Sequence, residues 1–470
     1  MSRRIFSVWI FFILALVSSG CSQVNDILGR KGETALKGVR IPILLGNEVA
    51  EVDKEISDVN IVLSQPIVNQ SWPQQGGLAH HSMGHLAVGD NLNLLWSVNA
   101  GNSHKADKPI LSGPVVSEGK VYTLDANSLV SAYNSKTGSL IWKTFISPKE
   151  EIDGSWGGGL AIDNNLIIAA GGFAEVVALN STNGKEIWRT KVSGPVRAAP
   201  SVLNGRVFVV TKDNQLYAIR SKNGETLWTH SGFEEFVGLM GSATPAAKHD
   251  IVVVPYSSGE LYALRVENGQ KVWGENLAAI RRVDAVSALA DIRGRPVINR
   301  GKVYAISHSG RMMSIDLYTG RRIWEVPLGG VNQPWISGEF LFVLTNQAKV
   351  AAVKVNDGRI RWLTPLDLYS DPKDREGRIS WSGPILAGGK LILSGSHGLV
   401  LSLSPYTGKI LKKEKMKSPA SLSPAIANRT LFYLTDKSQL IAYREFTKCE
   451  SYVAYNCHNR SSKCWKINSL

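Results

Sequence analysis

The sequence is poor in cysteine and in long apolar segments. Its 470 residues include four cysteines, and none lies between Cys21 and Cys449. The main body therefore has no disulfide and no thiolate metal site, which excludes disulfide scaffolds and cysteine-ligated zinc folds. Outside residues 5–20, no stretch is long and apolar enough to span a bilayer. Because 44% of the residues are hydrophobic and 20% are charged, wholesale disorder is also excluded.

The amino terminus is typical of a bacterial export signal. Two arginines precede sixteen uncharged residues, fewer than the ~20 that a spanning helix needs. The sequence Ser18-Ser-Gly-Cys21 resembles a lipobox, with Ser18 in the place where leucine is usual. This resemblance implies that residues 1–20 are removed and that Cys21 is acylated, with palmitate, as the first residue of a periplasm-facing lipoprotein. An ordinary export signal or an uncleaved anchor is the alternative.

The strongest signal is an internal repeat. A short alternating segment leads to an Asn-Gly, Thr-Gly or Asp-Gly turn, and a tryptophan follows the glycine by four residues. Successive glycines are 38 to 51 residues apart, and in a seventh copy Lys412 follows Gly408 in place of tryptophan. The six complete copies are Gly138–Trp142, Gly184–Trp188, Gly224–Trp228, Gly269–Trp273, Gly320–Trp324 and Gly358–Trp362.

Each repeat predicts one four-stranded antiparallel blade of a β-propeller. Alternation marks a half-buried strand, the glycine supplies a positive-φ turn, and a second hairpin precedes each copy. A half-unit from Leu431 to Tyr443 lacks a last strand, which Leu92–Trp96 supplies. We therefore expect an all-β, eight-bladed propeller over residues 70–443, its ring closed by strands from both ends. Tandem β-sandwiches are the alternative.

The turn-and-tryptophan pattern resembles the repeat of quinoprotein propellers. With the lipobox and eight blades, the chain resembles the BamB family, lipoprotein subunits of the outer-membrane β-barrel assembly (BAM) complex. The resemblance covers residues 70–443. It implies a non-enzymatic scaffold without a cofactor, anchored in the outer membrane and facing the periplasm. The implied partners are the POTRA domains of BamA, other BAM subunits and unfolded outer-membrane proteins.

An enzyme is the alternative from a different class, namely a periplasmic quinoprotein dehydrogenase or a degenerate relative. Enzymes of that kind ligate calcium with carboxylate and amide oxygens and usually carry an adjacent-cysteine disulfide, which this sequence lacks. We predict no catalytic, cofactor-binding or metal-binding residue. His80, His81 and His85 stand in a Gly-rich stretch, and we interpret them as a solvated loop rather than as metal ligands.

The longest connection between repeats, residues 279–297, mixes Arg and Asp with apolar residues, a composition expected of an interface. In the family, this loop and the preceding one contact BamA. The resemblance carries that contact onto Asp291 here, and onto Val237, Leu239 and Met240 in the preceding loop. Because Met240 stands where the family has an arginine, we assign the polar part of the contact with BamA to Arg282 or Arg293. Packing of these loops on each other is the alternative.

Charge and the chain ends complete the prediction. Of a net charge of +14, residues 96–443 carry +12, which favours acidic partners or anionic lipids, or only solubility. Nucleic acid is not expected for an exported protein.

Residues 21–69 are interpreted as a flexible tether. The tail 444–470 holds Cys449, Cys457 and Cys464, and its role stays open between a functional extension, a disulfide-linked tail and sequence read past the natural end.

Overall fold

The computed structural model describes residues 50–101, 110–148, 157–233, 241–278 and 290–446. Within them, eight antiparallel sheets of four strands each form an eight-bladed β-propeller, which confirms the expected fold class. The helical content of the described residues is a single 3₁₀ turn, Lys54–Ile56, so none of them forms a helix able to cross a membrane.

Strands are numbered in chain order, and β1 (Asn93–Asn99) is the outer strand of blade 8. Blades 1 to 4 comprise β2 (Val115–Ser117), β3 (Lys120–Leu124), β4 (Leu129–Asn134) and β5 (Leu140–Phe145); β6 (Gly159–Asp163), β7 (Leu166–Ala170), β8 (Glu175–Asn180) and β9 (Glu186–Lys191); β10 (Ser201–Leu203), β11 (Arg206–Val210), β12 (Gln215–Arg220) and β13 (Thr226–Ser231); and β14 (Ala246–Lys248), β15 (Ile251–Pro255), β16 (Glu260–Arg265) and β17 (Lys271–Asn276). Blades 5 to 8 comprise β18 (Val297–Asn299), β19 (Lys302–Ile306), β20 (Met312–Asp316) and β21 (Arg322–Val326); β22 (Trp335–Ser337), β23 (Phe340–Leu344), β24 (Lys349–Lys354) and β25 (Ile360–Pro365); β28 (Trp381–Ala387), β29 (Lys390–Gly395), β30 (Leu399–Leu403) and β31 (Ile410–Lys415); and β32 (Ala425–Ala427), β33 (Thr430–Leu434) and β34 (Gln439–Arg444) with β1. A separate hairpin, β26 (Tyr369–Asp371) and β27 (Glu376–Arg378), precedes blade 7.

The blades are buried at the centre and exposed at the rim. The first strands of neighbouring blades contact one another, so they lie nearest the ring axis. The second strands are apolar on both faces, because each blade is covered by a blade on either side; β7 has four successive buried residues from Ile167 to Ala170. In the outer strand β5, only Trp142 is buried.

Each rim tryptophan contacts the next blade. Trp142 of blade 1 lies against Gly184 in the turn of blade 2, where an added Cβ would come within 2.5 Å of the indole. Its Nε1–H donates a 3.1 Å hydrogen bond to the Ser181 carbonyl of that turn. We call this pair of contacts the tryptophan lock. It joins seven of the eight neighbouring pairs of blades, through Trp96, Trp142, Trp188, Trp228, Trp273, Trp324 and Trp362.

The junction between blades 7 and 8 lacks the lock. Lys412 occupies the tryptophan position of β31, and it pairs across the blade with Ser402. Blade 8 has no turn between its third and fourth strands, because β34 comes from the end of the propeller sequence and β1 from its beginning. Those two strands pair from Asn93–Arg444 to Asn99–Gln439, which closes the ring as the sequence predicts.

Residues 69–86, which we call the circuit, cross the innermost part of every blade in turn. The circuit therefore covers one end of the ring axis, and it ties together blades that are distant in sequence. Its hydrogen bonds join Asn69 to Asn428 in blade 8, Trp72 to Val116 in blade 1, Pro73 to Ile162 in blade 2, Gln74 to Val202 in blade 3, Ala79 to Ala247 in blade 4, His80 to Ile298 in blade 5, Gly84 to Trp335 in blade 6 and Leu86 to Leu386 in blade 7.

The structure corrects the tether boundary. Residues 50–69, expected to belong to the tether, pack on the propeller instead. The Asp53 N–H donates to the Ile360 carbonyl, and Arg361 donates to the Val59 carbonyl. Ile56 and Ile61 are buried. Residues 1–49 and 447–470, with Cys21 and the three tail cysteines, lie outside the described residues.

The tryptophan lock predicts a large difference between two glycine substitutions of equal backbone strain. Gly184 and Gly205 have φ of +71° and +70°, but a Cβ at Gly205 meets no atom within 4 Å. We expect Gly205→Ala to cost roughly 1–2 kcal/mol of unfolding free energy from backbone strain alone. Gly184→Ala should cost a further 1–3 kcal/mol or so, because the methyl group overpacks the Trp142 indole. Urea unfolding of both variants checks this, and equal losses would contradict the lock.

Candidate functional site

The ring encloses a central chamber of about 400 Å³. The circuit forms its floor through Trp72, Gln75 and Gly76. Its described walls are the segments that lead into the innermost strands of seven blades, so they come from seven parts of the sequence. Trp72 stacks on Trp335, with ring centroids 6.5 Å apart and planes inclined by 9°. The chamber lining is therefore partly aromatic.

The chamber wall is cationic. Arg197, Arg293 and Arg295 line it, and its described lining includes no Asp or Glu. A second cavity of about 180 Å³ shares Arg293 with the chamber and adds His308 and Arg378. The two cavities together bring four arginines and a histidine into one neighbourhood, and the described lining of the second one also lacks a carboxylate.

Burial lowers the pKa of Arg293, Arg295 and His308. It lowers the pKa of Arg295 to about 10, and the adjacent Arg293 charge adds to the effect. It also lowers the pKa of Arg293, an effect that Asp291 partly offsets. The pKa of His308 is lowered by burial and by the charges of Arg293 and Arg378. The arginines still carry their charge at neutral pH, so the chamber is positive while the imidazole is neutral.

This donor set does not suit the calcium of the alternative enzyme. Calcium takes six to eight oxygen ligands, several of them from carboxylates. The described chamber lining offers arginines in their place. Across the described ranges, no three His, Cys, Asp or Glu side chains come together as a set able to hold a metal. We derive no catalytic step through such a group.

The interpretation of the circuit's histidines as a solvated loop is wrong for His81 and His85, which are both buried. His81 is 1% exposed, and its Nδ1 lies 2.7 Å from the Pro296 carbonyl. His85 is also buried; its Nδ1 lies 2.7 Å from the Ser64 carbonyl, and its Nε2 accepts from the Gly389 N–H at 2.9 Å. These imidazoles fasten the circuit to blades 5 and 7.

The structure describes two of the six predicted partner contacts. Asp291 is 3% exposed, and Arg293 faces the chamber, so neither presents its side chain on the outer surface. The Asp291 carbonyl accepts from the His308 N–H, which holds this segment on blade 5. The other four, and the lipidation residue, lie outside the described residues: Val237, Leu239, Met240, Arg282 and Cys21.

Sequence reasoning missed Phe233, which directly precedes the segment 234–240. Its side chain is 74% exposed. Its backbone is fixed on both sides, since its N–H donates to the Glu260 carboxylate at 2.8 Å and its carbonyl accepts from Asn214 at 2.6 Å. A large apolar side chain on an anchored backbone is a ready contact for a partner.

Arg197 and Arg295 were also missed, although the sequence held a signal for them. They precede Pro200 and Pro296, the prolines that open two of the innermost strands. A residue just before such a proline lies next to the ring axis. The position of each arginine relative to the repeat could therefore have placed it in the chamber.

The repeat, the tryptophan lock and the eight blades define a propeller of the quinoprotein-like repeat class. A family model described as outer membrane protein assembly factor BamB matches residues 126–364. The chain therefore belongs to the BamB family, and the resemblance seen in the sequence is confirmed.

Individual proteins agree with this assignment. Outer membrane protein assembly factor BamB of Yersinia pestis is 25% identical over 355 residues, which are 74% of this chain and 88% of the relative. The crystal structure of BamB from Moraxella catarrhalis is similar with a TM-score of 0.60 at 18% identity, covering 76% of this chain and 98% of that chain. A europium-containing methanol dehydrogenase has a TM-score of 0.62 at 13% identity, covering 77% and 89%. The two structural likenesses show the fold alone.

The burial of His81 predicts a loss of stability in acid. Burial lowers the pKa of His81 to about 3, against 6.5 when unfolded, with Arg295 adding repulsion. Between these values the unfolded chain binds a proton that the folded chain does not, so stability falls as the pH drops below 6.5. From pH 6.5 to 4.5, this group should cost about 2 kcal/mol.

The measurement is the unfolding free energy of the wild type and His81→Asn between pH 4.5 and 7.5. The variant should be less stable at neutral pH but should lose less on acidification. His249→Asn, an exposed turn position, is the matched control and should keep the pH dependence of the wild type. Parallel curves for wild type and His81→Asn would contradict the assignment.

Proposed function

We propose that this protein is a non-enzymatic scaffold of the outer-membrane protein assembly machinery. It docks on the POTRA domains of BamA, associates with other BAM subunits, and assists the folding and insertion of β-barrel proteins. The observation that carries this is membership of the BamB family, whose relatives are named outer membrane protein assembly factors. The fold likeness to a methanol dehydrogenase supports only the architecture, and the cationic chamber does not favour its chemistry.

We place the contact with BamA on the loop 234–240 and the exposed side chain that precedes it. Val237, Leu239 and Met240 supply the apolar part that the family resemblance implies. Phe233 extends that part on a fixed backbone. Arg282 supplies the polar part of the neighbouring loop.

Asp291 and Arg293 point inward, so this proposal does not place them on the surface that contacts BamA. Asp291 is buried and its segment is held on blade 5, so its side chain acts within the fold and not on the docking surface. Arg293 belongs to the chamber wall. Substituting Asp291 would therefore disturb folding as well as docking, which makes it a poor test of the interface.

A cleaner test uses exposed residues. Phe233→Ala and Leu239→Glu should each weaken binding to purified BamA POTRA domains by roughly 30-fold or more, the loss expected when an interface hot spot is truncated. Phe145→Ala is the matched control, since Phe145 is 60% exposed on the outer strand of blade 1. Biolayer interferometry with the full chain measures all three. If the Phe145 variant lost as much affinity as the other two, this docking site would be refuted.

The rim of blade 1 suits a different partner. The outer strand β5 exposes Leu140, Ile141 and Phe145, and its free edge can accept an added strand. Unfolded outer-membrane proteins are chains with alternating apolar residues, which match such an edge. We therefore propose that β5 contacts these clients, apart from the surface that docks on BamA.

The proposed location is the outer membrane, through a lipid on Cys21 and with the propeller in the periplasm. Replacing residues 1–21 with an export signal that is cleaved without a lipobox should move the protein from the membrane fraction to the soluble periplasmic fraction, because the acyl chains supply the attachment. Cys449→Ala is the control and should leave the protein in the membrane fraction. Membrane fractionation that survives the exchange of residues 1–21 would rule out this anchor.

A further inference from the structure

The outer strand of blade 7 differs from those of blades 1 to 6 because it is strongly basic. Residues 409–417 hold five lysines and one glutamate, a net charge of +4. The same nine positions after the turn glycine carry between −1, in blade 3, and +2, in blade 2. This is also the blade in which Lys412 occupies the tryptophan position of the lock. We call residues 406–417 the basic rim.

The five lysines of the basic rim are exposed, and four of them have no acidic partner in the described ranges. The exception is Lys412, which pairs with Glu414 at 2.7 Å. Lys413 and Lys415 are two residues apart, so they lie on one face of β31, and each is paired with a leucine of β30. Their positive charge is therefore available to a partner.

Apolar side chains are exposed between these lysines. Tyr406 in the turn is 48% exposed, Ile410 is 38% exposed and Leu411 is 59% exposed. Lysines mixed with exposed apolar groups match the surface of an anionic bilayer, where the ammonium groups meet lipid phosphates and the apolar groups enter between the headgroups. A soluble anion would use the ammonium groups alone.

The basic rim lies next to the point where the chain enters the propeller. The described chain begins at residue 50, and the Asp53 N–H donates to the Ile360 carbonyl on the rim of blade 6. Two residues further along β25, Trp362 donates its lock hydrogen bond to the Pro405 carbonyl, which directly precedes the basic rim. A lipid on Cys21 would therefore tether the ring to the bilayer at this part of its circumference.

The rim of blade 6 also carries basic side chains, but residues 53–59 of the same chain cover them. Arg359 lies 3.7 Å from the Asp53 carboxylate and 3.5 Å from that of Glu55, and Arg361 donates to the Val59 carbonyl. No described segment covers the lysines of blade 7 in this way. Of these two neighbouring rims, the one on blade 7 is open to the bilayer.

We propose that the basic rim rests on an anionic phospholipid bilayer, with its lysines among the headgroup phosphates and Ile410 and Leu411 between the headgroups. This inference rests on the proposed anchor at Cys21 for the presence of a bilayer. A single tether leaves the ring free to turn, and the second contact fixes its orientation on the membrane. The loops proposed to dock on BamA follow blades 3 and 4, at least three blades away from blade 7, so both contacts can be made at once.

The test measures cosedimentation with lipid vesicles, using the chain exported without a lipobox so that no acyl group contributes. Vesicles of phosphatidylcholine alone are compared with vesicles of equal parts phosphatidylcholine and phosphatidylglycerol. We expect binding to the mixed vesicles only, and that binding should weaken as salt is raised, because the charges are exposed. Equal binding to both kinds of vesicle would overturn the proposal.

Variants locate the contact on blade 7. Lys413→Gln together with Lys415→Gln should lower the affinity for the mixed vesicles at least about tenfold, because each lysine close to an anionic bilayer adds to the attraction. Leu411→Ser should lower it about threefold or more, since its side chain no longer enters the headgroup region. The matched control is Lys185→Gln with Lys191→Gln, which removes two exposed lysines at the ends of the outer strand of blade 2 and should stay within about twofold of the wild type. Equal losses in the two lysine pairs would show attraction by net charge alone and would refute the site.

Two competitors distinguish a bilayer from other acidic partners. If the Lys413 and Lys415 pair reduced binding to poly-glutamate but left vesicle binding unchanged, the basic rim would serve an acidic protein and not a membrane. Release from the vesicles by glycerol phosphate at equal ionic strength would show a site for a soluble phosphate. Either result would overturn the proposal.

The outcome is independent of the proposed docking and anchoring. The Lys413 and Lys415 pair should keep the wild-type Tm and the wild-type affinity for BamA POTRA domains, and the anchor is tested by fractionation alone. If that pair failed to fold, Lys409→Gln with Lys417→Gln would replace it, since both side chains are exposed at the ends of the same strand. Vesicle binding that survives in the folded variant would refute the site.

Discussion

The tryptophan lock is the contact on which the rest of the structure depends. Each rim indole fills the space above a glycine in the next blade and gives its one donor to a carbonyl of the same turn. The glycine is required in this contact, because a side chain at that position would occupy the place of the ring. The buried indole needs that carbonyl as well. Seven such contacts join neighbouring blades in the same way, while other parts of each blade vary.

The exception shows what the lock requires. A blade can receive the indole only if its third and fourth strands are joined by a turn, and blade 8 takes those strands from opposite parts of the chain. The tryptophan of blade 7 would have no glycine to meet, and Lys412 stands in its position. Pairing of β1 with β34 and the hydrogen bonds of the circuit hold this part of the ring. Closure is thus spread over hydrogen bonds to all eight blades, most of them between backbone groups.

The sequence predicted what is local and repeated. The four-residue offset from glycine to tryptophan established the hairpin, the blade and the number of blades. It did not show that each tryptophan packs against the turn glycine of the next repeat, as Trp142 packs against Gly184, because that contact joins different repeats. His81 and His85 were misinterpreted for a related reason. His85 accepts a hydrogen bond from Gly389, about three hundred residues away, and no periodicity within the circuit predicts that partner. The inward direction of Asp291 and Arg293 was equally hidden, since an irregular connection has no period that assigns its faces.

Because the lock is repeated at seven junctions, the features that vary between blades lie in two other places. The connections that enter the innermost strands are not part of the lock, so they can differ from blade to blade without opening the ring. On the inside, such connections supply the arginines of the chamber. On the outside, a neighbouring connection begins at the exposed Phe233. Residues 290–295 belong to both regions, because they follow the loop 279–289 and end at Arg295 in the chamber wall. Charged groups are tolerated there because they face the chamber and not the apolar packing between blades.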